Sequence, residues 1–406
     1  MKPYYEAKGV TIYNGDCREI TASLSEVSAV VTDPPYELGF MGKSWDSKGI
    51  SFQSETWRII RKSCLSGSPL LSFGGSRTSH RIACAIEDAG WEIRDTLMWV
   101  YGSGFPKSLD ISKAIDKRAG REGRVVGTRK HHYPDSDCWG EPKNTSSDGY
   151  FQSERKNTNL GAIPIIEPAT PEAQLWEGYG TGLKPAFEPV ILAMNPLDGT
   201  FANNALKHGV AGLNIDGCRV ECELIKTVQG QSTNQQSGLM YSGKDQRHLR
   251  IFENSKGRFP ANFIHDGSQQ VMELFPETKS GGGQKNRLGN QWVESGRQRI
   301  EYEDAIEYDS NSGSAARFFY CAKSSKRERG EFNDHATVKP IALMEYLVKL
   351  VKYPEYNLII DPFMGSGTTL LACINLGIPV TGIDSDESSC EIAAKRCSQS
   401  VMELKI

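Results

Sequence analysis

The sequence predicts an α/β fold, a mostly parallel sheet covered by helices on both faces. Residues 9–101 alternate between strand and helix signals, and the same alternation resumes at 338. Two apolar runs far apart in the chain each end in an aspartate followed at once by proline. The first is Val27-Ser28-Ala29-Val30-Val31-Thr32 before Asp33-Pro34-Pro35-Tyr36. The second is Leu358-Ile359-Ile360 before Asp361-Pro362-Phe363-Met364-Gly365-Ser366-Gly367-Thr368-Thr369. Such unbroken runs read as strands buried on both faces. Open α/β sheets bind ligands beyond the carboxyl ends of strands, where the strand order reverses. If the two strands are neighbours, Asp33 and the glycine turn face one crevice.

The elements follow in order. Gly9–Tyr13 is a short strand ending at Asn14-Gly15-Asp16-Cys17. Residues 56–65 have helical spacing and stop at Gly67. Pro69–Phe73 is a buried strand ending in Gly74-Gly75, and Ser76 is placed to cap the helix carrying Ile82, Ala83, Ala85 and Ile86, which Gly90 ends. Thr96–Tyr101 is the next strand. Residues 102–186 are loop-rich, with one helix around Ser112–Arg118. Glu188–Met194 reads as a strand antiparallel to the one ending at Tyr101. Residues 198–315 are polar and irregular, a separate region, and 316–322 return to a strand. Pro340 opens a helix with Leu343, Tyr346, Leu347, Leu350 and Val351 on one face. The strand 358–361, helix 368–376, strand 380–384 and a helix from 387 to 402 complete the pattern. The expected division is therefore 1–101, 102–186, 187–197, 198–315 and 316–406.

Composition narrows the function classes. Of 406 residues 38% are hydrophobic, with no apolar stretch near the ~18 residues that cross a bilayer. The expectation is a soluble cytoplasmic protein with no membrane partner. Ten cysteines at irregular spacing fit neither a disulfide framework nor a zinc site, so no metal is expected and most thiols read as buried apolar groups. A net charge of -3 means that nucleic acid must be met by local patches. Lys244, Arg247, Arg250, Lys256 and Arg258 form one. Lys279, Lys285, Arg287, Arg297 and Arg299 form a second, and Lys323, Lys326, Arg327 and Arg329 a third. Three such patches among Gly, Ser, Asn and Gln point to phosphate contact.

The C-terminal motif reads as a nucleoside-cofactor cradle. Gly365 and Gly367 permit a tight turn, and Thr368 opens a helix with free N–H groups. Asp384 ends the next strand 23 positions after Asp361, about the spacing at which an acid meets ribose hydroxyls. The phosphate-loop pattern fails for want of its lysine, and the dinucleotide pattern fails because position 370 is Leu. At the N-terminal motif, Pro34 and Pro35 stiffen the chain. The carboxylate of Asp33 and the Pro34 carbonyl then converge on one –NH2 group. Two acceptors on a delocalised aromatic amine orient it and stabilise the positive charge that develops on attack. Tyr36 offers a face on which an extruded base stacks, worth about 1–3 kcal/mol. No Pro-Cys dipeptide exists, which argues against covalent cytosine-C5 chemistry.

Taken in order, these segments resemble the amino-group DNA methyltransferases of the permuted β class, near phage and prophage members. Further matching residues are Phe40-Met41-Gly42-Lys43-Ser44-Trp45-Asp46, Gly104-Phe105-Pro106-Lys107-Ser108, Leu183-Lys184-Pro185-Ala186-Phe187-Glu188-Pro189, Gly257-Arg258-Phe259-Pro260-Ala261-Asn262 and Thr337-Val338-Lys339-Pro340. The resemblance implies a Rossmann-like, seven-stranded sheet binding S-adenosyl-L-methionine, with an inserted target-recognition region at 198–315. It implies catalysis by Asp33, Pro34, Pro35 and Tyr36. Cofactor contacts are implied for Asp16 and Cys17 near the adenine, Asp384 at the ribose, and Phe363, Gly365, Ser366, Gly367, Thr368 and Thr369, with Asp33, Thr337 and Lys339 beside the methionine end. One departure is His335-Ala336-Thr337, where the family usually has His-Pro-Thr. Aspartate at the head of the motif resembles the adenine-N6 branch. The alternatives are cytosine-N4 and an inactive DNA-binding homologue. The implied substrate is double-stranded DNA, with the base flipped out to be reached; a homodimer and a cognate restriction endonuclease stay open as partners.

Overall fold

The strands that end at Asp33 and Asp361 lie side by side. The computed structural model describes residues 2–39, 49–102, 104, 108–130, 162–221, 225–229, 250–254, 257–279, 312–322 and 338–403. Met1–Gly102 with Phe187–Ile406 form one compact unit and Ser103–Ala186 another.

In the larger unit ten described strands make one sheet. They are β1 (Tyr5–Ala7), β2 (Val10–Asn14), β3 (Ala29–Thr32), β4 (Pro69–Phe73), β5 (Glu92–Val100), β6 (Phe187–Met194), β7 (Phe263–His265), β8 (Tyr320–Cys321), β9 (Ile359–Asp361) and β10 (Val380–Asp384). Their spatial order is β1-β2-β10-β9-β3-β4-β6-β5-β7-β8. From β2 to β4 neighbours are parallel; β6 runs antiparallel between β4 and β5, as expected. The seven implied strands are the contiguous block from β2 to β5. The sheet exceeds that number because β1 adds antiparallel to β2, and β7 and β8 extend the far edge.

Successive side chains of a strand face opposite sides. Ala29 and Val31, Leu71 and Phe73, and Val190 and Leu192 enter one core. There they meet α4 (Ile341–Leu350), α5 (Thr368–Leu376) and α6 (Glu387–Glu403), taking these after α1 (Cys17–Thr21), α2 (Ser54–Ser63) and α3 (Ser79–Asp88). Val30, Leu70, Ile191 and Ile360 enter the other core, against Trp57 and Ile60 of α2 and Ile82 and Ile86 of α3. Burying an apolar side chain of this kind contributes about 1.5–3 kcal/mol. The two buried tryptophans keep their indole N–H groups bonded, Trp57 to the Ser51 carbonyl at 2.8 Å and Trp91 to the Trp57 carbonyl at 3.0 Å.

Several expectations need correction. Ser76 does not cap α3, because Gly75–Thr78 forms a separate turn and the helix starts at Ser79. Ala315–Phe318 is a single 3-10 turn, leaving only Tyr320–Cys321 as strand. The 198–315 region is not wholly irregular: it holds a helix at Phe201–His208, two small hairpins, and β7 within the main sheet. Helix α4 begins one residue later than the Pro340 rule places it. Five of the described cysteines are buried, as the composition implied. No described helix is long and apolar enough to cross a membrane.

The smaller unit carries more structure than a loop. Its helix Ile111–Arg118, N-capped by Asp110, accompanies the antiparallel pair Arg124–Lys130 and Ala162–Glu167 and a short helix Pro171–Leu175. Asp116 ties the unit together by accepting from the amides of Ala169 and Thr170 and from the Thr170 hydroxyl.

Candidate active site

Helix α5 leads from β9 toward β10 on one side, while α2 leads from β3 to β4 on the other, so the strand order reverses between β9 and β3. Both aspartates stand at that point. Asp361, 1% exposed, accepts from Thr32 Oγ1 at 2.6 Å, from Thr369 Oγ1 at 2.5 Å and from the Phe363 amide at 3.2 Å. Burial pushes its carboxyl up to about 6, against the opposing pull of the two threonine hydroxyls. One side chain thus braces β3, β9 and α5 together.

Asp33 follows β3 directly and lies at the centre of a cluster. Its Oδ1 accepts from the Tyr36 hydroxyl at 2.8 Å, and its Oδ2 lies 2.5 Å from Lys339 Nζ. Glu188, at the start of β6, joins them: its Oε2 lies 2.9 Å from the Tyr36 hydroxyl and 3.2 Å from Lys339 Nζ. Tyr101 reaches its other oxygen at 3.4 Å. An antiparallel strand begins where its neighbours end, which is how β6 delivers an acid to the carboxyl ends of β4 and β5. Burial works against the Lys339 ammonium, but the charges of Asp33 and Glu188 outweigh it and raise its pKa above the ordinary lysine value. Burial, then the same two carboxylates, lift the Tyr36 phenol well above its usual range, so it stays a neutral donor. Glu37 adopts a left-handed backbone, φ +56°, an uncommon state for a side chain of its kind. Its carboxylate accepts from the Gly49 amide at 2.7 Å, which holds that turn in place.

The glycine turn has its own scaffold. Gly365 (φ +49°) and Gly367 (φ +78°) take backbone states that favour glycine. Asp384 Oδ2 accepts the Gly365 amide at 2.9 Å and Oδ1 that of Asp386 at 2.9 Å. Arg396 of α6 donates to the Ser366 carbonyl at 2.6 Å, to its hydroxyl at 3.1 Å and to Thr368 Oγ1 at 3.3 Å. The hydroxyls of Ser366, Thr368 and Thr369 are therefore turned to Arg396 and Asp361, and what the turn presents outward is backbone. Asp16 caps α1 and is bonded bidentately by Arg18, whose hydrogen bonds hold its carboxyl below the usual range. Cys17 is buried against Ile20 and Ile383, with half-buried Phe363 packed on the same cluster. Burial pushes that thiol up to about 12.

The structure brings Asp33, Pro34, Pro35 and Tyr36 to the same strand ends as Gly365, Gly367 and Asp384. Lys339 places its ammonium on Asp33 and Glu188. Arg258 donates to the Arg317 carbonyl at 3.3 Å, and its guanidinium stands 4.5 Å from the Phe318 ring centroid. Arg250 lies in the strand Arg250–Asn254. Thr337, Lys244, Arg247, Lys256, Phe40–Asp46 and the patches after Lys279 lie outside the described residues. Glu188 and Arg396 went unassigned in the sequence. The signal for Glu188 was an acid opening an antiparallel strand; Arg396, one cation in a helix, gave none.

The model of the N6/N4 family described as DNA methylase matches residues 226–395. A type II methyltransferase of Lactococcus lactis subsp. cremoris, M2.LlaDCHI, is 31% identical over 101 residues, covering 25% of this chain and 37% of the relative. M2.DpnII of Streptococcus pneumoniae is 32% identical over 98 residues, 24% of this chain and 36% of its own length. The aligned stretches thus span little more than a third of these relatives. Among solved structures, the cytosine-N4-specific PvuII DNA methyltransferase is similar over 97% of this chain and 88% of its own, at 12% identity and TM-score 0.47. The M1.HpyAVI–SAM complex is similar over 96% and 99%, at 15% identity and TM-score 0.38. Over the matched stretches the chain is similar in sequence to amino-group DNA methyltransferases.

Proposed function

We propose that this chain transfers the methyl group of S-adenosyl-L-methionine to the N6 amine of a flipped adenine in duplex DNA. The observation that carries the reading is the placement of Asp33 and the 365–367 turn at adjoining strand ends of one reversal point, braced by the Thr32–Asp361 bond at 2.6 Å. The residues fit the cofactor. Gly367 leaves no room for a side chain, since a Cβ there would stand 2.9 Å from that of Ala393, so the turn keeps bare backbone. Asp384 and Asp16 supply carboxylates for hydroxyl and amino donors beside it. S-adenosyl-L-methionine, when bound, supplies an electrophilic methyl group on a sulfonium.

The chain's own residues then act on the amine. Asp33 accepts one of its hydrogens and offsets the positive charge that builds on nitrogen. Pro34 and Pro35 hold that carboxylate on a stiff segment. Tyr36, a neutral donor to the carboxylates, keeps its ring beside them. Adenine is the preferred base because aspartate heads the motif. Asp33→Ala should abolish transfer to duplex DNA, read as N6-methyladenine by nucleoside analysis, while calorimetry finds cofactor affinity within about threefold of the parent. Transfer near the parent rate would overturn the clamp; N4-methylcytosine as the product would overturn the choice of base.

A further inference from the structure

Asp33 faces two hydrogen-bond donors before any substrate arrives. Tyr36 takes Oδ1 and Lys339 takes Oδ2. Lys339 is 8% exposed, with Nζ 4.8 Å from the Phe73 ring centroid and 5.4 Å from that of Tyr36. An aromatic –NH2 group and an ammonium both offer N–H to the same oxygen. A target amine on Asp33 must therefore compete with Lys339. Displacing the ammonium into a site with no other anion would leave a buried charge uncompensated, which is strongly unfavourable.

Glu188 removes that obstacle. Its Oε2 already lies 3.2 Å from Lys339 Nζ, so the ammonium can move to a second carboxylate without leaving the cluster. The Tyr36 hydroxyl has one hydrogen and two acceptors, Asp33 Oδ1 at 2.8 Å and Glu188 Oε2 at 2.9 Å, and it donates to one of them at a time. The cluster therefore has two hydrogen-bond arrangements. In one, Lys339 serves Asp33 and Tyr36 serves Glu188. In the other, Lys339 serves Glu188, Tyr36 serves Asp33, and Asp33 Oδ2 is open to an incoming N–H.

Building on the function proposed above, we infer that Lys339 is a placeholder for the target amine and Glu188 the positioning residue that draws it off Asp33. In this role the two residues act through Asp33.

The test uses four full-length proteins: the parent, Glu188→Gln, Lys339→Met and the double variant. Initial rates of methyl transfer are measured on unmethylated genomic DNA at saturating S-adenosyl-L-methionine, with kcat and KM for DNA separated. Glutamine keeps the size of Glu188 but not its charge, so Lys339 stays on Asp33. Glu188→Gln should lower kcat by roughly 10- to 100-fold, with KM for DNA and cofactor Kd within about twofold. Adding Lys339→Met removes the competitor, so the double variant should be several-fold faster than Glu188→Gln alone. Losses that simply multiply overturn the inference, as does an unchanged kcat in Glu188→Gln. A kcat loss matched by equal losses in cofactor affinity and Tm assigns Glu188 a purely structural role and overturns it too. A parent that transfers no methyl group to any DNA overturns the reading of the site itself, an outcome distinct from the others.

Discussion

Asp361→Asn tests the brace that joins the two halves of the site. The folded chain raises this carboxyl from 3.8 to about 6, chiefly by burial, with Thr32 and Thr369 pulling the other way. A group whose folded pKa is raised gives stability that is complete below the unfolded value and is lost as pH climbs through the folded one. The parent should therefore lose stability between about pH 4 and pH 6–7 on account of this residue. The full difference corresponds to roughly 3 kcal/mol, and roughly half of it falls between pH 5 and 7. An amide of the same shape is neutral throughout. Its oxygen accepts one threonine hydroxyl and its –NH2 donates to the other, so both braces survive. Urea unfolding of parent and variant at pH 5, 6, 7 and 8 isolates the term, because every other titrating group cancels in the difference. The variant should gain on the parent as pH rises to 7 and then level off. A difference that stays flat, or falls with pH, would refute the claim that burial dominates at Asp361.

Two further outcomes follow from the turn and its neighbours. In Gly382→Ala the new Cβ would stand 2.5 Å from Met364 Sδ and 2.8 Å from Leu370 Cδ1, both in the core. Overpacking of this kind costs about 1–3 kcal/mol, so a thermal scan should find a clearly lower Tm, and an unchanged one would show that Met364 has room to swing. Asp384→Ala takes the acceptor from the Gly365 amide; cofactor affinity should drop about tenfold by calorimetry while the methylated base stays the same, and an intact affinity would remove Asp384 from the cradle.

The fold was legible wherever a strand was buried on both faces. The runs before Asp33 and Asp361 are mostly apolar because each lies between parallel neighbours and two helical layers. The antiparallel β6 was legible for the same reason. Helix ends were less so: Ser76 is as good a capping residue as any, yet the turn from Gly75 to Thr78 decides where α3 begins. The short strand β7 was hidden because three residues carry too little periodicity to register. Pairing with β5 and β8 defines it, and the pairing with β5 spans more than 160 positions.

The candidate site divides along the same line. Residues that a turn must have were visible: Gly365 and Gly367 for their φ, and Asp33 for ending a buried strand before two prolines. What a side chain does inside the site depends on partners that local pattern does not contain. Lys339 read as a cofactor contact because it stands in a segment that resembles one; its ion pairs were hidden because the two acids reach it from 306 and 151 positions away. The hydroxyls of Thr369 and Ser366 read as ligand contacts because they belong to the glycine motif, yet Asp361 and Arg396 already hold them. Most buried polar groups find a hydrogen-bond partner. In this turn Asp361 and Arg396 engage the hydroxyls of Thr369, Ser366 and Thr368. A lysine also stands between the Asp33 and Glu188 carboxylates, and on the inference drawn above amine binding would be an exchange of donors at Asp33 and not the filling of an empty acceptor.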